Sequence, residues 1–308
     1  MARMARMTSH FHLRPIGPAV VSAAVLSLCS TGLYAQTAPP NCPVDHDQLV
    51  QALKQNVHAS GGPDNGGMPV NEWAAVVDRF GNVCAVAFSG AKATDQWLGS
   101  RAIAIEKANT VVSFSLDTFA LSTANLWAQS QPGGYLFGAA ASNPPVPQEL
   151  YAGEPSQYGT TSDPLVGKHP GGVIAFGGGL ALYDKGHLVG GLGASGNTPC
   201  ADHNIAWRVR QKLGLNKVPD GPTSEHNDAI VYDVAADGKS KSGWGHPTCG
   251  HNAPDVAKQI GAGIVMSQLN QPPARPDGQL GQPMPPPHAQ APRQNDRHGR
   301  RTLPRWQR

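Results

Sequence analysis

The chain has 308 residues, 24 Lys+Arg against 21 Asp+Glu, and 40% hydrophobic side chains, enough apolar material for one core with appendages. Three arginines and no acids fall in residues 1–36, and seven arginines with two aspartates fall in residues 271–308, so residues 37–270 carry a net −5. That acidic balance excludes nucleic-acid binding by the central region on electrostatic grounds.

Arg3, Arg6 and Arg14, the small apolar run Ala19–Leu28 and the Leu33-Tyr34-Ala35 end read as an export signal over residues 1–35. The mature chain is then expected to be periplasmic or secreted. Leu28 stands where a lipoprotein signal has a small residue before Cys29, so lipidation is not expected. No later apolar run reaches the roughly 18–20 residues that a membrane span needs.

Asp45 is placed to cap a helix running to His58, with Leu49, Val50, Leu53 and Val57 near one face. Ser60–Gly67 breaks it into a loop. Glu72–Val77 and Val83–Phe88, either side of Asp78-Arg79-Phe80-Gly81-Asn82, predict a first β-hairpin, with Asp78 and Arg79 as a local ion pair. Ser100–Phe114 predicts a helix, in which Lys107 and Glu106 read as a solvated pair. Asp117–Leu121 predicts the start of another. The loop at 129–171, rich in Gly, Pro, Ser and Asn from Pro132 to Gly172, is long for one inside a domain and reads as either functional in itself or a cover over a binding surface. Strands are predicted at Val173–Phe176, Leu180–Tyr183 and Leu188–Leu192, the last two joined by the Asp184-Lys185-Gly186 turn. A helix follows over Ala201–Leu213, then an added strand at Ile230–Val234. The folded domain with its C-terminal extension is bounded at 42–268, and the Pro/Arg-rich residues 271–308 are expected to be disordered.

Four cysteines remain after the signal: Cys42, Cys84, Cys200 and Cys249. Of the three connectivities, Cys42–Cys84 with Cys200–Cys249 is preferred, because it pins the first helix to a strand and the extension to the core. The alternative for the second pair is a zinc site, since Cys200-x-x-His203 and His246-x-x-Cys249 have ligand spacing.

Gly191-x-Gly193-x-x-Gly196 matches a dinucleotide fingerprint, but the strand before it is the second arm of a hairpin. Nucleotide binding needs a parallel βαβ unit, so the glycines read instead as packing and corner residues. Gly-x-Ser-x-Gly is absent and no acid/base pair stands out, so the residues define no catalytic constellation.

Several segments together resemble the GlcG/HbpS-like family of haem-binding and glycolate-operon-associated proteins. They are Val77–Phe88, Ser100–Ala104 leading to Lys107-Ala108, Gly172-Val173, and Val189-Gly190-Gly191-Leu192-Gly193-Ala194-Ser195-Gly196 followed by Asp202 and Ile205-Ala206. The resemblance implies an α+β fold, a profilin-like antiparallel sheet flanked by helices, here with a long loop and the C-terminal extension. It also implies homo-oligomers and haem or a related tetrapyrrole as ligand, held for storage or redox sensing. The glycolate branch implies the alternative of an enzyme or accessory protein acting on a small hydroxy acid. Cys-x-x-Cys-His is absent, so haem would be held non-covalently. His203, at the opening of the helix after the glycine corner, is the first candidate iron ligand, with His46 and His226 after it, each next to an ordered element; His169 and His187 sit in turns, and His288 and His298 in the tail. Arg101 at a helix start and the amides at Ser195, Gly196 and Asn197 are candidates for a small anionic ligand or a haem propionate.

Overall fold

The computed structural model describes residues 39–265. The export signal expected at 1–35, Cys29 and the tail at 271–308 with His288 and His298 lie outside the described residues.

Helix α1 (His46–Asn56) opens where the sequence predicts. The Asp45 carboxylate accepts from Gln48 N (2.8 Å) and the Gln48 side chain accepts from Asp45 N (3.0 Å), a reciprocal cap that satisfies two otherwise orphaned amides. Strands β1 (Trp73–Asp78) and β2 (Val83–Phe88) form the first hairpin. Its turn is held by Asp78, whose carboxylate accepts from Phe80 N, Asn82 N and Asn82 Nδ2 at 2.8–3.0 Å. The predicted Asp78–Arg79 ion pair does not form, because those donors occupy Asp78 and Arg79 donates to Val112 O (3.0 Å).

Helix α2 (Gly99–Phe114) follows, then β3 (Gly179–Asp184) and β4 (His187–Ser195), joined at Lys185 and Gly186, both with positive φ. The four strands make one antiparallel sheet in the order β2-β1-β4-β3. Helix α6 (Pro199–Lys212) leaves β4 through the Gly196 corner. It packs with α1 on one sheet face, where Leu49, Leu53, Val76, Leu182, Leu192 and Ile205 share a core. On the opposite face α2 lays Ala104, Ala108 and Val112 against Ala75, Val77 and Val86. Both faces are therefore covered, which is why β1 and β2 are buried at every position, and apolar at all but Asp78, rather than alternating.

The β4 glycines serve this packing. A methyl group at Gly191 or Gly193 would overlap the carbonyl of Ala108 or Ala104, so helix and sheet meet backbone to backbone. Because β4 is antiparallel to both neighbours, the fingerprint spacing carries no dinucleotide geometry.

The 129–171 stretch contains only one-turn helices, α3 (Trp127–Ser130), α4 (Ala139–Ser142) and α5 (Pro147–Leu150), and wraps the outer side of α2. Two predicted elements fail here. Asp117–Leu121 forms no helix; the Asp117 carboxylate instead accepts from Leu188 N (2.8 Å), and Leu116 bridges Phe119. Residues 173–176 form no strand, because their neighbours bond to side chains: Gly172 O accepts from Asn109 Nδ2 (2.8 Å) and Ile174 N donates to Thr110 Oγ1 (2.9 Å).

The outer edges of the sheet are occupied. On β3, Gly179 O accepts from Thr123 N (3.1 Å), Ala181 O from the Arg210 guanidinium (3.0 Å), and Tyr183 N donates to Leu215 O (3.0 Å). On β2, Val83 N donates to Lys168 O and Val83 O accepts from Gly167 N, both 2.8 Å.

The extension supplies β5 (Ile230–Tyr232), one residue pair shorter than predicted, helix α7 (Ala253–Gln259) and β6 (Gly263–Val265), which pairs in parallel with β5. The strand stops at Tyr232 because the Asp233 carboxylate accepts from Ser240 Oγ (2.7 Å) and Ser242 N (2.6 Å) and bends the chain. Cys42–Cys84 and Cys200–Cys249 are the disulfides, with Cα separations of 5.5 and 5.9 Å. Among the described residues no helix is long and apolar enough to cross a membrane.

Candidate functional site

The residues that carry the family-like motifs converge on one buried point. Lys107 from α2 reaches across the end of β4, its Nζ 2.7 Å from Asp202 Oδ2 and 2.9 Å from Ala194 O. The Asp202 carboxylate, in the first turn of α6, also accepts from Asn197 N (2.8 Å). Glu72, just ahead of β1, completes the group. Burial, and then the Asp202 carboxylate beside it, push the Glu72 carboxyl well above the usual range. Neither of its oxygens has a hydrogen-bond partner, so burial favours the neutral acid, with Lys107 as the nearby cation that opposes the shift. Two glycines in unusual backbone conformations make room: a methyl at Gly178 would lie 2.6 Å from Lys107 Nζ, and one at Gly196 would lie 2.9 Å from Glu72 Oε2 and 2.8 Å from Gln96 Nε2.

This corrects the expectation for Lys107, which is fully buried and paired with Asp202 rather than solvated with Glu106. The Ser195–Asn197 corner holds an internal carboxylate: Ser195 is in register with Trp73, Gly196 O accepts from Gln96, and the Asn197 amide is taken by Asp202. Arg101 is likewise committed inside the protein. Its guanidinium forks onto both Asp163 oxygens, donates to Leu150 O (2.8 Å) and stacks on Tyr158, with 2% of its surface exposed. No face of it is left for a ligand, because the 129–171 stretch closes over α2.

The three candidate histidines fall in three different settings. His203 is completely buried, its Nε2 donating to Ala262 O (3.1 Å) and its Nδ1 without a partner. Burial pulls its ring down to about 3, so it is neutral at ordinary pH. His226 stands on an exposed turn with positive φ, its Nδ1 3.1 Å from Asp220 Oδ1. His46 opens α1 and lines a cleft of about 640 Å³. Its Nε2 lies 3.0 Å from Gly159 O and its Nδ1 3.1 Å from Asp47 Oδ1. A neutral ring can donate to only one of these two acceptors, so the second contact is exchangeable.

That cleft runs between α1, the 90–94 turn after β2 and the 155–161 part of the long loop. Val50, Phe88, Ala91, Ala93 and Tyr158 give it an apolar wall, and Lys54 and Lys92 stand at it as cations. Phe88 stacks on Trp73 at 4.4 Å, so the wall is backed directly by the strand that follows Glu72. Sequence reasoning found His46 but missed Glu72, Lys54 and Lys92. The one signal for Glu72 was an acid heading a run with no other polar residue before Asp78.

An antiparallel sheet between helices, with a sealed acid–ammonium cluster and an apolar cleft bearing a histidine and two lysines, defines an α+β domain of the profilin-like kind. A family model described as haem-degrading protein HbpS-like matches residues 44–210, and the chain belongs to that family. Among solved structures, the PduOC:heme complex is 25% identical, covering 54% of this chain and 89% of its own, with a TM-score of 0.37. The Klebsiella pneumoniae protein ORFY is 21% identical over 55% of this chain and 86% of its own, at 0.38. HbpS is 18% identical over 56% and 90%, at 0.34. No curated protein matches the chain.

Proposed function

We propose that this chain is an exported, homo-oligomeric protein that binds haem non-covalently in the His46 cleft, for storage or redox sensing. Family membership supplies the ligand class. The observation that carries the site is the position of His46, the one of the three candidate histidines set in a cleft wall. A volume of about 640 Å³ lies in the range of small-molecule sites, roughly 300–1,000 Å³. The lining suits the group: its apolar side chains would hold the macrocycle, and Lys54 and Lys92 would offset the charge of its carboxylates. Asp47 beside Nδ1 would orient the ring, the usual support for a metal-bound histidine, leaving Nε2, now against Gly159 O, as the nitrogen that would hold the iron. Haem, when bound, supplies the iron centre and its redox couple. The two disulfides, stable in oxidising compartments, support export alongside the N-terminal signal.

The test is a haem titration of wild type, His46→Ala, His203→Ala and His226→Ala, read at the Soret band. Saturable binding that is weakened and spectrally shifted by His46→Ala, and left intact by His226→Ala, is expected. No saturable change in wild type overturns the haem reading. An unaltered His46→Ala spectrum moves the ligand elsewhere.

A further inference from the structure

The outer wall of the cleft, residues 154–163, is tied to the rest of the fold by hydrogen bonds at only two points. The backbone amides of Gln157, Tyr158, Thr160 and Asp163 close turns within the segment itself. Among the described residues, two side chains from outside the 129–171 stretch hydrogen-bond to it. One is His46, whose Nε2 lies 3.0 Å from Gly159 O. The other is Arg101 of α2, whose Nε donates to Asp163 Oδ2 at 3.0 Å while a second arm of the fork donates to Oδ1.

The second tie is the stronger one. Arg101 and Asp163 are 2% and 0% exposed, and a bidentate pair out of water is both strong and directional. The same Asp163 Oδ2 accepts from Gly159 N at 2.7 Å, and the Arg101 guanidinium carbon lies 3.9 Å from the centre of the Tyr158 ring. Tyr158 and Gly159 both line the cleft. Gly159, with φ of +74°, lies flush on the floor, where an added methyl would come within 2.9 Å of Phe88 Cβ and 3.0 Å of the Trp73 ring. A ligand that takes His46 Nε2 removes the first tie and leaves the second to hold the wall alone.

We propose that Arg101 and Asp163 are positioning residues of the cleft, whose buried pair keeps Tyr158 and Gly159 in place as the wall against which a ligand is held. Arginine is required, because its planar fork serves both carboxylate oxygens while its flat face stacks on Tyr158; a lysine ammonium makes a point contact only. The ligand half of this inference rests on the haem reading of the cleft, and the wall is tested separately without ligand.

The experiment compares the full wild-type chain with Arg101→Lys at one neutral pH. Without ligand, diethylpyrocarbonate modification of His46 is followed by peptide mass spectrometry, with His226, 80% exposed at its side chain, as the reference. His46 should react about tenfold faster in the variant and His226 at the same rate, the scale expected when one or two side chains lose their ordering. With haemin bound, release to excess apomyoglobin should also be about tenfold faster, at an unshifted Soret maximum, since the iron ligand is unchanged. Equal His46 modification in folded Arg101→Lys overturns the proposal, as does equal haemin release or a shifted maximum. Faster modification in a chain that never binds haemin saturably supports the strut and overturns the haem reading alone. Circular dichroism checks each fold. Should Arg101→Lys unfold, Arg101→Met/Asp163→Asn replaces it, because removing both charges leaves none buried alone. Unfolding of both variants overturns the proposal, since the pair would then hold the domain and not the wall.

Discussion

Lys107 Nζ lies 2.7 Å from Asp202 Oδ2 at a point where neither side chain is more than 2% exposed. An ammonium removed from water this fully is tolerated only with a paired anion and further acceptors, here Asp202 and Ala194 O. Removing one charge should therefore cost far more than altering the neutral member of the group. Lys107→Met is expected to destabilise by about 3–5 kcal/mol, the usual consequence of leaving a buried charge alone. Glu72→Gln keeps a neutral side chain of similar shape and should cost about 1 kcal/mol. Urea unfolding at neutral pH compares them; equal losses would mean that Glu72 is ionised in the folded protein.

Gly193 and Gly99 provide a paired test of the helix–sheet contact. A methyl at Gly193 meets the Ala104 backbone, whereas one at Gly99 meets nothing. Gly193→Ala should cost at least about 1–3 kcal/mol through overpacking. Gly99→Ala should be neutral or stabilise by up to about 1 kcal/mol, because alanine favours a helix. A thermal melt in which Gly193→Ala matches wild type would show that α2 can shift away.

His203 should shape the acid limb of the stability curve. Its folded value, near 3, lies below its unfolded value of 6.5, so the unfolded chain binds more protons between them. Stability is complete above pH 6.5 and falls as pH drops toward 3. His203→Gln, which does not titrate, should flatten that decline even if its neutral-pH stability is lower. An unchanged slope in denaturant melts taken between pH 7 and 4 would count against a buried neutral ring.

Glu106 acts in the opposite sense. Burial raises its carboxyl to about 7 from 4.5, so between those values the folded chain binds more protons and stability falls as pH rises. Glu106→Gln should be more stable than wild type above pH 7 by about 1 kcal/mol, a figure reduced from full linkage because the group keeps solvent contact. The advantage should vanish below pH 4.5. A gain that persists at low pH would trace to packing rather than ionisation.

The elements with local chemistry were legible in the sequence. Asp45 marked the start of α1, Asp184-Lys185-Gly186 marked a hairpin, and the cysteine positions favoured the pairing that forms. What was not legible depends on partners far along the chain. Residues 173–176 look like a strand, yet Asn109 and Thr110 of α2 take up the adjoining backbone groups. Arg101 looks like an anion site because Asp163, 62 residues away, cannot be paired with it by inspection. The candidate cleft was partly visible through His46, while Lys54 and Lys92 are ordinary surface cations until the 155–161 loop folds opposite them.

The bonds along β3 have a consequence for self-association. Its outward-facing groups at Gly179, Ala181 and Tyr183 are engaged by Thr123, Arg210 and Leu215, and β2 is covered at Val83 by the 167–168 backbone. The β3 border so engaged offers no template to an incoming strand, and an open hydrogen-bonding border is the usual route to edge-wise fusion of β-proteins. Growth into a continuous ribbon through the β3 border is therefore blocked.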